Sequence, residues 1–145
     1  MFTFSLQSVL DVRERMEKLK YKEYSQVLQE RRRLEGEVDR RETALVAAAR
    51  NNDAQRREGR SALPLQLFEN YRRRLRSEID RVREQMRQQE QELEARRMEL
   101  VEARRAHRTL EILKEKERKR YDQEQARRER AFMDEVASNY HVFRQ

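Results

Sequence analysis

A chain of 145 residues is long enough for one ordinary domain, but 43% of it is charged, 36% is hydrophobic, and it holds only two glycines and one proline. That excludes a compact fold with frequent turns and points to long helices built from Arg, Glu, Gln, Leu, Ala and Lys. The net charge of +7 comes from 35 basic residues beside 28 acidic ones, so most of the field cancels locally, and the absence of cysteine excludes disulfides and thiolate metal sites.

The opening MFTFSLQSVL has no basic flank and too short an apolar run for a secretory signal. No window approaches the roughly 20 apolar residues of a membrane span, and a cytoplasmic protein is expected. Helix 1 is predicted to start at Ser5, whose hydroxyl can cap a free backbone N–H, with Phe4 and Val9 spaced as a hydrophobic staple. It is predicted to run to about residue 50. Gly36 costs about 1 kcal/mol relative to Ala, which softens a helix without ending it.

Turn formers concentrate once, from Asn51-Asn52-Asp53 to Gly59 through Pro64. The connection is therefore placed at about 51–63, with Ser61 or Leu63 at the cap of helix 2 and Pro64 in its first turn. Helix 2 is predicted to run from Pro64 to about residue 140. At 1.5 Å per residue the helices would be about 70 Å and about 115 Å long.

In helix 2, residues 68, 72, 75, 79, 82, 86, 89, 93, 96, 100, 103, 107 and 110 follow alternating steps of four and three, a coiled-coil seam with polar interruptions. Helix 1 has the same rhythm at Tyr24, Val27, Arg31, Leu34, Val38, Arg41, Leu45 and Ala48. Its first turns use Val9, Val12, Met16 and Leu19 in a frame shifted by one residue, which suggests a local change in supercoiling. The fold class is thus all-α, a single domain over residues 1–145 formed by a long antiparallel two-helix coiled coil. Residue i should face roughly residue 113 − i, so that Met1 meets the region of Ile112. The longer second helix would overhang from there, carrying Leu113, Tyr121, Phe132, Met133, Val136 and Tyr140 as a docking surface.

No catalytic constellation stands out, and neither a cofactor nor a metal is expected. His107 and His141 have no carboxylate or nucleophile at a recognisable spacing, and there is no Gly-rich phosphate loop. Basic runs occur at Arg31-Arg32-Arg33, at Arg72-Arg73-Arg74 and over residues 114–130, where eight positive charges meet five negative ones. No nucleic-acid-binding signature accompanies them, so a nucleic-acid partner is not expected, although a basic coiled coil of that kind remains an alternative.

Three stretches carry a family resemblance: FTFSLQSVLDVRE at residues 2–14, LQLFENYRRRLRSEI at 65–79 and LEILKEKERKRYDQEQARRERAFMDEVA at 110–137. In order along the whole chain they resemble the flagellar export protein FliJ family. The resemblance implies a two-helix coiled coil shaped like the stalk of a rotary ATPase and lacking enzymatic activity. Such a protein would insert into the hexameric ring of the export ATPase FliI and promote its assembly. It would also contact the cytoplasmic domain of the export-gate protein FlhA, bind export chaperones, and lie peripherally at the inner face of the cell membrane. Carried onto this chain, the gate-binding surface is Phe68, Tyr71 and Leu75. The ATPase-binding surface is assigned to the two terminal regions: Arg13, Lys18, Lys20 and Lys22 on helix 1, and Lys116, Arg118, Lys119, Arg120 and Tyr121 on helix 2. The stalk of a virulence type III secretion system is the nearest alternative.

Overall fold

The computed structural model describes residues 1–59 and 62–144, with the side chains of 62–64 excepted. Two helices account for most of them, α1 (Gln7–Arg57) and α2 (Ala62–Phe143), and no strand occurs among the described residues. They pack antiparallel as an all-α hairpin in which α2, with 82 residues, is much the longer. The chain divides into two compact units, Met1–Leu19 with Val101–Gln145, and Lys20–Leu100.

In the unit formed by Lys20–Leu100, the predicted seam is the interface. Leu34, Val38, Ile79 and Val82 form a buried cluster with Leu45 and Met86 packed against it. Where the seam turns polar, charges bridge the helices: Lys20 to Glu99 at 3.2 Å, Arg96 to Glu23 at 3.0 Å, Arg41 to Glu78 at 3.0 Å, and the Arg31 guanidinium donating to the Met86 carbonyl at 3.1 Å. Ion pairs this exposed contribute little stability, but they discriminate strongly between registers.

Those pairs place residue i level with about residue 119 − i, not 113 − i. The difference of about six residues has its origin at the turn. Helix α1 does not stop at Asn51-Asn52-Asp53 but continues to Arg57. Asn52 continues the seam heptad 31, 38, 45, 52 and is 7% exposed, so its burial at the interface overrides its poor helix propensity. Gly59 has a φ of 71°, in the left-handed region that only glycine enters freely, and its N–H donates to the Arg56 carbonyl. Pro64 falls in the first turn of α2, as expected. The alternative cap Ser61 lies outside the described residues, and so does the side chain of Leu63.

The two glycines should respond oppositely to alanine. At Gly36, in mid-helix, an added Cβ would meet only the flexible end of Arg40 at 3.7 Å. Gly36→Ala is expected to stabilise by about 0.5–1 kcal/mol through helix propensity. Gly59→Ala has open space but the wrong φ, and is expected to destabilise by about 1 kcal/mol. Thermal melts of the two variants should shift in opposite directions.

In the unit formed by Met1–Leu19 with Val101–Gln145, the N-terminus lies against α2 further along than residue 112. Lys114 donates to the Gln7 side-chain oxygen at 2.7 Å, and the rings of Phe2 and Tyr121 are 5.7 Å apart. The overhang therefore begins after Tyr121, and Leu113, Lys114, Glu117 and Tyr121 are half-buried beside the N-terminal segment. Helix α1 starts at Gln7 instead of Ser5, with the Leu6 carbonyl accepting from the Leu10 N–H. Phe4 and Leu10 are buried, while Val9, the expected staple partner of Phe4, is 41% exposed. Val12, Met16 and Leu19 are exposed as well, and Glu17 faces α2 beside His107. The inner seam thus runs from Leu10 through Glu17, and Val9 marks a different face of α1.

Candidate partner-binding surfaces

Beyond Tyr121, α2 continues as a lone helix, and every residue from 127 to 144 is exposed. Phe132, Met133, Val136, Tyr140 and Phe143 share one side of it, within an arc of about 100°. Their exposures run from 47% for Val136 to 91% for Phe143, and an apolar stripe left in water on a charged helix marks a docking face.

At the opposite end of α2, near the connection, two grooves flank Phe68. One, of about 850 Å³, is lined by Leu45, Val46, Ala49 and Asn52 of α1 with Arg73 and Arg76 of α2. The other, of about 370 Å³, is lined by Ala48, Asn52, Leu67 and Tyr71. Tyr71 is half-buried, with the Arg74 guanidinium 5.4 Å from its ring centre. Leu75, by contrast, is 6% exposed and belongs to the core. Phe68 and Tyr71, carried over from the resemblance, line these grooves, and sequence reading did not name the groove wall on α1. The signal for it was the heptad continuing from Leu45 to Asn52.

Within the unit formed by Met1–Leu19 with Val101–Gln145, Arg13 of α1 lies level with about residues 108–111 of α2 and Lys18 with about residues 103–106, offset along the helix from Lys116, Arg118, Lys119 and Arg120. All six of these are exposed, and two sit in local pairs: Lys18 with Glu14 at 3.3 Å and Lys119 with Glu115 at 3.4 Å. Tyr121 is half-buried against Phe2. In the other unit, Lys22 is exposed, whereas Lys20 bridges Glu99 and Glu23. Its hydrogen bond to Glu99 raises the ammonium pKa above its ordinary value, and the same contact lowers that of Glu99.

The basic runs are neutralised in part by local ion pairs. Arg31 pairs with Glu35 and Glu90, Arg33 with Glu30 and Glu37, Arg72 with Glu69, and Arg128 with Glu124. His107 sits between Glu17 and Glu111 on the seam. Among the described residues, no group of three or more His, Asp or Glu side chains could hold a metal ion, and no helix is long and apolar enough to cross a membrane.

This hairpin, with its unequal helices, polar seam and bare apolar extension, agrees with what the N-terminal, middle and late sequence stretches imply. The family model described as Flagellar FliJ protein matches residues 2–145. No curated protein and no solved structure matches the chain. With the match covering nearly all of its length, the chain belongs to the flagellar FliJ protein family, a coiled-coil component of the flagellar type III export apparatus.

Proposed function

We infer that the protein is a non-catalytic stalk that binds the hexameric export ATPase FliI, promotes its assembly and activity, and links it to the export gate. The observation that carries this reading is the extension of α2 past Tyr121 with its exposed stripe from Phe132 to Phe143. A lone helix of this kind, with charges of both signs around an apolar face, fits a protein channel better than a polyanion. The Phe68 and Tyr71 surface, beside two grooves near the connection, suits the cytoplasmic domain of FlhA as a second partner. Export chaperones are further partners in this reading, and attachment to the export apparatus would hold the protein at the inner face of the cell membrane.

The test is the rate of ATP hydrolysis by the cognate FliI with and without the full chain. Stimulation rising with added protein and levelling off at a defined ratio to the hexamer supports the stalk. An unchanged rate at saturating protein, with the ATPase otherwise active, removes it.

A further inference from the structure

The face of α1 that carries Val9, Val12, Met16 and Leu19 has no use in the hairpin. Their steps of three, four and three are those of a coiled-coil seam, yet they are 41%, 54%, 40% and 48% exposed. Leu10 and Glu17, one residue further along, already face α2. Helix α1 is therefore two-sided here, with one seam occupied and one bare.

The bare seam also specifies the charge of what would cover it. Taking Val9 and Met16 as its first heptad positions and Val12 and Leu19 as its fourth, the residues flanking the interface at the fifth and seventh positions are Arg13 and Arg15. Both are exposed, and neither has an ion pair among the described residues. Flanking charges set partner choice in coiled coils, with like charges repelling across the interface and unlike charges pairing. A second copy packing through this seam would set Arg13 and Arg15 against their own kind. The overhang of α2 fits no better, since its flanks around Met133, Val136, Tyr140 and Phe143 include no carboxylate at the corresponding positions, which hold Phe132, Ala137, Asn139 and Arg144.

We propose that the Val9, Val12, Met16 and Leu19 face of α1 is a docking seam for an α-helix of a partner protein, one with apolar residues at three–four spacing flanked by carboxylates, which adds a third strand to the hairpin. This site is separate from the α2 extension and needs no ATPase.

The probe is a fluorescein-labelled synthetic peptide of three heptads, with Ile and Leu at the first and fourth positions and Glu at the fifth and seventh, titrated with the full-length protein and followed by anisotropy. Binding in the micromolar range is expected, about tenfold or more weaker for the same peptide with Lys in place of Glu. Val12→Glu with Met16→Glu, both at exposed positions, should lose binding by a similar factor while the helical circular dichroism is unchanged. Arg13→Glu with Arg15→Glu should reverse the preference, favouring the Lys peptide. Equal binding of a scrambled Glu peptide overturns the proposal, because attraction to the chain's net positive charge then suffices. No binding, or undiminished binding to the Val12→Glu/Met16→Glu protein, overturns it as well. A wild-type dimer in sedimentation equilibrium that the Val12→Glu/Met16→Glu protein fails to form would give the seam to a second copy and overturn the assignment to an acidic partner. Since the ATPase is absent throughout, this seam and the stalk reading stand or fall separately.

Discussion

Ending the chain after Ala126 is expected to abolish most of its stimulation of the export ATPase while leaving the helical pair intact. The removed residues include the exposed stripe from Phe132 to Phe143, and from residue 127 to 144 none is buried. The ring contact between the N-terminal segment and α2, Phe2 on Tyr121, is retained. Thermal stability should therefore stay within about 2 °C of the full chain, because no interhelical apolar area is lost. A cut after Thr109 is a different experiment. It also takes away Lys114 and Tyr121, the partners of Gln7 and Phe2, so a fall in activity there confounds lost docking with a frayed N-terminus. If the protein ending at Ala126 stimulates hydrolysis as well as the full chain does, the extension has no part in the ATPase interaction.

That choice of cut depends on a register that sequence reading placed about six residues away. The seam of α2 was fully legible, since all thirteen of its positions from 68 to 110 are less than fully exposed in the folded pair. Strict three–four spacing needs no partner to be recognised. The turn was misjudged because Asn51-Asn52-Asp53 is a turn signal by local chemistry, while Asn52 occupies a heptad position that only the opposite helix makes helical. An antiparallel register passes any error at the turn along the whole length of the pair. The N-terminal frame shift was misread for a related reason. Periodicity reports that a helix has an apolar face but not which of two faces meets the neighbouring helix, and Leu10 alone is a weak sign against four residues in the other frame. Site residues were the least legible. Lys20 looks like any surface lysine until Glu99, 79 positions away, closes on it.

Leu34→Ala is expected to cost about 2–4 kcal/mol of unfolding free energy, the largest effect of any single side-chain truncation considered. Two packed helices bury few side chains, and eight apolar ones qualify as core among the described residues: Phe4, Leu10, Leu34, Val38, Leu75, Ile79, Val82 and Leu100. Leu34 is the most enclosed, at 2% exposure, in the cluster with Val38, Ile79 and Val82. Truncation forfeits the transfer free energy of three carbon atoms and leaves a void that Leu45 and Met86 fill only in part. The interhelical ion pairs offer a direct comparison. Arg41 and Glu78 are each about a third exposed, and removing such a pair should cost about 1 kcal/mol or less. Urea unfolding followed by circular dichroism, at one fixed protein concentration, separates the two effects. Leu67→Ala, at 62% exposure, is the control, expected within about 0.5 kcal/mol of wild type. Should Arg41→Ala prove more damaging than Leu34→Ala, the pair would be held chiefly by its charges, and the thin apolar seam would act mainly to set spacing. The expected order is the reverse: apolar burial supplies most of the stability, and the ion pairs select the register.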